Sequence, residues 1–117
     1  MSIIIRETEA ENPVVTFEAI DTQENQRVGS LVVRFGQQLR IVEIGTVFSH
    51  RRQGIGTALL RRGVNLAFSR GITELWGGTS ENEETTLAWY KKRGIEVDQF
   101  YRLTGRISTI REKLGNY

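Results

Sequence analysis

The stretch that decides the fold is Ile44-Gly45-Thr46-Val47-Phe48-Ser49-His50-Arg51-Arg52-Gln53-Gly54-Ile55-Gly56-Thr57. Its apolar start predicts a strand, and the apolar residues at helical spacing after Gly54 predict a helix. The glycines Gly54 and Gly56 remove Cβ atoms, which lets the backbone approach a ligand. The first helical turn supplies unpaired amides and a positive dipole, and Arg51 and Arg52 add charge. The stretch therefore predicts a pyrophosphate site.

Two well-known phosphate-binding motifs do not fit this stretch. A dinucleotide fingerprint needs a third small residue where Leu59 stands, and a P-loop needs a Gly-Lys-Ser/Thr sequence that is absent. The spacing Arg51-x-x-Gly54-x-Gly56 instead resembles the acyl-CoA-binding motif of the GNAT N-acetyltransferases. The segment Leu87-Ala88-Trp89-Tyr90-Lys91-Lys92-Arg93-Gly94-Ile95 is similar to that family's second landmark, aliphatic-x-aromatic-Tyr-x-x-x-Gly-hydrophobic. The resemblance covers roughly residues 1–103.

Four strand-like runs precede the decisive turn. Short polar joins separate them, which favours an antiparallel meander. The predicted runs are Ile3–Ile5, Val14–Phe17, Val28–Phe35 and Leu39–Phe48.

After the turn, the sequence predicts two helices with a strand between them. The first helix covers Ile55–Arg70 and ends before Gly71, and the strand covers Ile72–Trp76. The second helix begins at a capping box of Ser80 and Glu83 and reaches Arg93. Residues 95–103 predict one or two closing strands, and residues 107–114 have weak helical spacing. We expect an α+β GNAT fold with a mixed, mostly antiparallel sheet and two main helices. It would form one domain over residues 1–117, with a core over 1–103 and a C-terminal tail over 104–117.

Composition narrows the class of protein. The chain has 117 residues, 38% hydrophobic and 26% charged, as expected for one small globular domain. It has no cysteine and one histidine, which excludes disulfides, a cysteine nucleophile and a multi-histidine metal cage, so we expect no metal. A net charge of +2 is no signature of nucleic-acid binding, and no window is apolar enough for a membrane span. We expect a cytoplasmic protein.

The resemblance implies acetyl-CoA as co-substrate. The backbone of Ile44, Gly45 and Thr46 would pair with the pantetheine arm, with a bulge suited to Gly45. An amide near Thr46 would stabilise the oxyanion. The amides of Arg52, Gln53, Gly54, Ile55, Gly56 and Thr57 would hold the pyrophosphate, with Arg51 supporting the loop. Tyr90 would contact the cofactor and return a proton to the CoA thiolate, which suits a phenol that is protonated at neutral pH.

The general base departs from the family pattern. Some relatives place a glutamate on the fifth strand, where this chain has Leu75-Trp76-Gly77-Gly78. Glu43 is the leading substitute for deprotonating the amine, and His50 is a second candidate by its pKa class alone. Simpler structural interpretations remain open, in which Glu43 is a solvated strand residue and Tyr90 a core aromatic.

The acceptor is the least determined partner. The family usually inserts two helices between its first two strands, where this chain has only about residues 9–13. The acceptor site should therefore be open, or completed by a second subunit paired through a sheet edge near residues 95–103. The leading prediction is acetyl transfer to a primary amine. One alternative is a non-catalytic acetyl-CoA-binding module that regulates a protein partner, and another is an acetyltransferase for a large basic or ribosomal partner.

Overall fold

Ten elements of secondary structure follow one another along the chain. The computed structural model describes residues 2–11, 13–47, 50, 54–78 and 83–115. Within these ranges the elements are β1 (Ile3–Glu11), β2 (Val14–Asp21), β3 (Gln26–Phe35), β4 (Leu39–Thr46), α1 (Ile55–Ser69), β5 (Glu74–Gly78), α2 (Glu84–Lys92), β6 (Glu96–Val97), β7 (Arg102–Arg106) and α3 (Ile107–Leu114). No helix in these ranges is long and apolar enough to cross a membrane.

All seven strands form one sheet in the order β1-β2-β3-β4-β5-β7-β6. The predicted meander is confirmed, because β1 to β4 pair antiparallel in sequence order. The pairing of β4 with β5 is parallel, since α1 carries the chain back along the sheet between them. The edge strand β6 has only two residues, Glu96–Val97, so the backbone there offers a short edge to a partner. The homodimer stays a prediction.

The helices pack on one face of the sheet. A Cβ on Gly63 of α1 would meet the side chain of Leu31 at 3.0 Å, and one on Gly105 of β7 would meet Ile110 of α3 at 2.9 Å. Strand alternation sends every second residue to the other face. That second face, called the open face below, is covered by no helix of the described ranges. Its members on β2 to β5 include Glu18, Val32, Arg34, Arg40, Glu43 and Trp76.

Several boundaries differ from the sequence prediction. The strand β1 extends from the predicted Ile3–Ile5 to Ile3–Glu11, and β5 covers Glu74–Gly78 and not Ile72–Trp76. The second helix begins at Glu84 with Glu83 as its N-cap and no side-chain capping bond, so the predicted capping box does not start it. Ser80 lies outside the described residues. The segment expected as a tail contains the end of β7 and the helix α3, whose Ile107, Ile110 and Leu114 are buried. Arg61 of α1 donates two hydrogen bonds to the Leu114 carbonyl, at 3.1 and 2.7 Å, which ties α3 to α1.

Candidate functional site

The strands β4 and β5 separate halfway along β4. Their parallel register ends at Ile41↔Gly77, whereas β4 stays paired with β3 as far as Thr46↔Gly29. The last residues of β4 therefore have a strand on one side only. A ligand with amide groups can pair with such an edge as an added strand would.

The predicted bulge in β4 lies elsewhere than expected. The register passes from Val32↔Glu43 to Val33↔Ile41, so Val42 is the extra residue, and not Gly45. Val42 is 56% exposed. An extra residue increases the local twist of the strand, and here it stands at the point where β4 leaves β5.

The predicted site residues of β4 divide between the two faces of the sheet. Ile44 is half-buried and packs against the core, whereas Glu43 is exposed on the open face, opposite Val32. Gly45 is exposed and Thr46 is half-buried. A cavity of about 270 Å³ lies at this end of the strands, lined by Arg27, Gly29, Ser30, Gly45, Thr46 and Val47.

The N-terminus of α1 has the features of an anion site. Gly54 is its N-cap and has φ +76°, a backbone conformation that residues other than glycine rarely adopt. The first intrahelical bond runs from the Ala58 amide to the Gly54 carbonyl at 3.0 Å, so the amides of Ile55, Gly56 and Thr57 have no acceptor within the helix. The first turn contains no acidic residue that would neutralise the dipole.

The two glycines of the turn have different roles. A Cβ on Gly54 would meet no atom of the described residues within 4 Å, and the left-handed backbone angle is itself a reason for glycine at this position. A Cβ on Gly56 would stand 3.3 Å from the Trp89 ring. The missing side chain of Gly56 therefore makes room for α2, and the prediction that both glycines make room for a ligand stays a prediction.

Arg93 joins α2 to the first turn of α1, and the sequence analysis did not identify it. Its guanidinium donates to Thr57 Oγ1 at 3.2 and 2.9 Å and to the Trp89 carbonyl at 2.9 Å. It also stacks 4.1 Å from the centroid of the Trp89 ring. Burial lowers the pKa of Arg93, yet an arginine remains charged at neutral pH. A half-buried cation thus stands beside the amides that would bind an anion.

Tyr90 lies in the hydrophobic core, only 5% exposed. Its ring meets that of Trp89 edge-on, with centroids 5.2 Å apart and planes at 84°. Trp89 in turn covers Gly56, so Tyr90 is one ring away from the N-terminus of α1. Glu43, by contrast, is on the open face of the sheet, so the two predicted catalytic residues approach the site from different sides.

The only buried charged or polar side chains among the described residues are Asp21 and His50. His50 Nε2 lies 3.1 Å from Asp21 Oδ2, while Asp21 Oδ1 accepts the amides of Gln23 and Glu24 at 3.0 and 3.4 Å. The hydrogen bond from His50 holds the pKa of Asp21 below its usual 3.8. The pair fixes the chain just before the predicted phosphate loop, and a buried, paired His50 does not suit the role of base.

Part of the predicted loop cannot be placed in the site. Arg51, Arg52 and Gln53 lie outside the described residues.

One cluster of potential metal ligands occurs near the loop: ligand atoms of Asp21, Glu24 and His50 lie within 4.8 Å of one another. Hydrogen bonds already occupy both oxygens of Asp21, so this cluster is explained without an ion.

Known proteins resemble the chain in sequence pattern and in fold. The model of the acetyltransferase (GNAT) family matches residues 4–95. A putative acetyltransferase from Exiguobacterium superposes with a TM-score of 0.76 at 16% identity, covering 96% of this chain and 98% of its own. An IAA acetyltransferase from Bacillus cereus gives 0.75 at 19% identity, with 90% and 99% covered. The PaiA N-acetyltransferase of Thermoplasma acidophilum, solved with coenzyme A, gives 0.71 at 14% identity, with 80% and 60% covered.

Proposed function

Because the chain belongs to the GNAT acetyltransferase family, we propose that it transfers an acetyl group from acetyl-CoA to a primary amine by direct attack in a ternary complex. One observation carries this proposal. The exposed N-terminus of α1, capped by Gly54 in a left-handed conformation, follows the strand that separates from β5. The anion site thus comes directly after the strand edge along the chain. This order suits a ligand that has a pyrophosphate and an amide-bearing arm.

The donor would bind along these elements. The backbone of Ile44 to Thr46 would pair with the pantetheine arm, and the amides of Gly54 to Thr57 would receive the pyrophosphate. Arg93, through Thr57, would hold the first helical turn in place and add positive charge. Arg51, Arg52 and Gln53 complete the proposed loop by their sequence positions.

The chemistry needs one proton removed and one supplied. The amine nitrogen attacks the thioester carbonyl carbon, the C–S bond breaks, and an amide and a CoA thiol result. Glu43, or a water that it holds, would take the proton from the amine, and Tyr90 would donate one to the departing thiolate. The chain has no cysteine to carry an acyl-enzyme, which favours direct transfer.

A second candidate is a non-catalytic acetyl-CoA-binding module that regulates a protein partner. The observation that favours it is the strand β5, which reads Glu74-Leu75-Trp76-Gly77-Gly78 and has no carboxylate where some relatives place their base. In that case donor binding would occur without transfer.

One experiment distinguishes the two functions. The protein is titrated with acetyl-CoA by calorimetry, and free thiol is followed with and without a panel of amines and basic peptides. We expect micromolar binding with amine-dependent thiol release. Binding with no release from any acceptor would favour the regulatory module, and absence of binding would refute both.

A further inference from the structure

Two arginines face each other on the open face with no counter-ion among the described side chains. Arg34 of β3 and Arg40 of β4 are direct partners in the antiparallel register. Both are exposed, and among the described residues neither takes part in an ion pair or a side-chain hydrogen bond. Like charges directly opposite each other destabilise a sheet. Such a pair is relieved when an anion binds between the two charges.

Among the described side chains, the carboxylates of the open face do not pair with these arginines. Glu18, on the same face, is bound by Arg6 at 3.1 Å and Arg27 at 3.5 Å. Glu43 is opposite Val32 and pairs with neither arginine within the described part of the chain. The positive charge of the pair is therefore available to a ligand.

The two arginines line a cavity of about 250 Å³ together with Gly36, Gln37 and Gln38 of the β3–β4 turn. Its volume is several times the roughly 30 Å³ that a water molecule occupies in the liquid, so a carboxylate fits. Two guanidinium groups and two side-chain amides are donors suited to an oxyanion. On the other side of Arg40, its register partner is the half-exposed Trp76 of β5, an apolar surface for the ligand's carbon chain.

Arg40, which lines the cavity, lies on the same strand and the same face as Glu43. Arg40 and Glu43 are three residues apart on β4, but the bulge at Val42 shortens their separation to that of their partners on β3, which is two residues or about 7 Å. A molecule with its amine at Glu43 could thus place an anionic group between the arginines.

We propose that Arg34 and Arg40 form an anion subsite that selects acceptor amines bearing a carboxylate about 7 Å from the amine. The inference rests on the proposed function and names its substrate class. Glu43 would bind the amine end and the arginine pair would bind the carboxylate end. The open face would therefore recognise both charged groups of the acceptor.

The test compares three amines of equal length: 6-aminohexanoate, its neutral amide, and 1,6-diaminohexane. Binding is measured first, by NMR titration of the isotope-labelled full chain with CoA present. We expect 6-aminohexanoate to shift the resonances of residues 34–40 with a millimolar dissociation constant, and the amide to bind roughly tenfold more weakly. An equal response to acid and amide, or none at about 20 mM ligand, would overturn the proposal.

Variants assign the effect to the arginines. Arg34→Gln and Arg40→Gln should each raise KM for 6-aminohexanoate roughly tenfold while kcat and the affinity for acetyl-CoA stay unchanged. Arg6→Gln is the matched control, because it removes the same charge from the same face but from a guanidinium already paired with Glu18. An equal loss in the control would show a general charge effect and overturn the subsite.

These experiments also distinguish the arginine subsite from the acetyltransferase function, and a carboxylate ligand from another anion. Acetylation of the neutral amide with no preference for the acid would overturn the subsite and leave the acetyltransferase intact. Failure to bind acetyl-CoA would refute the function, while the NMR titration would still decide whether the arginines bind a carboxylate. Inorganic phosphate is titrated in parallel, and tighter phosphate binding would overturn the carboxylate assignment.

Discussion

Arg93 and Thr57 offer a sharp test of how α2 supports the donor site. Arg93→Met removes charge-assisted hydrogen bonds, worth roughly 1.5–3 kcal/mol in other proteins, and a stacking contact with Trp89. Because Arg93 is only half-buried, we expect a loss of about 2 kcal/mol in the free energy of unfolding. Thr57→Val keeps the shape but removes the acceptor oxygen, at a cost of about 1 kcal/mol.

The assay is a double-mutant cycle by urea unfolding, combined with acetyl-CoA titration of each variant. A coupling of about 1 kcal/mol is expected, and the dissociation constant for acetyl-CoA should rise roughly three- to tenfold in Arg93→Met. Thr57→Ser is the control, since it retains the oxygen. Additive effects within about 0.3 kcal/mol would refute the contact, and unchanged affinity in a destabilised variant would show that Arg93 only stabilises the fold.

Three further outcomes follow from the site. Tyr90→Phe should leave acetyl-CoA binding nearly intact and reduce kcat roughly 10- to 1,000-fold, and an unchanged kcat would leave Tyr90 a packing residue. Glu43→Gln should slow turnover and alter the pH profile of kcat/KM; an identical profile would remove Glu43 from the mechanism. Because the pKa of Asp21 is lowered in the folded state, its stabilisation is present above pH 3.8 and is lost as the pH falls through the folded-state pKa. Asp21→Asn should therefore reduce the pH dependence of unfolding in acid by up to one proton, and an unchanged dependence would contradict the pairing with His50.

The order of the elements was predictable because each left a local signal. Strand-like runs between short polar joins marked the four strands of the meander. The left-handed glycines that follow α1 and α2, Gly71 at φ +77° and Gly94 at φ +83°, stand where the sequence analysis placed the helix ends. The start of α2 was mispredicted because Ser80 and Glu83 match the pattern of a capping box, whereas the helix begins at Glu84 with Glu83 as its N-cap. The helix α3 was predicted only as weak helical spacing in a tail, because its apolar residues are buried only when α1 packs beside them.

The candidate site was predictable where backbone chemistry decides it. The strand-to-helix turn follows from local sequence, as the spacing indicated, and Gly54 is the N-cap of the helix. Contacts between distant side chains do not: nothing in the sequence brings Arg93 to Thr57, 36 residues away, or His50 to Asp21, 29 residues away. The signals were present as a basic residue before Gly94 and an aspartate opening a polar turn, but only the folded chain identifies their partners.

The most direct test of the central claim is a calorimetric titration with acetyl-CoA of the wild-type chain and of Gly54→Glu. The variant places a negative charge at the N-terminus of α1, at a left-handed position with open space around it. Circular dichroism checks that the variant is folded. We expect micromolar binding by the wild type and none by the folded variant. Equal affinity in both proteins, or no binding by the wild type, would contradict donor binding at the N-terminus of α1.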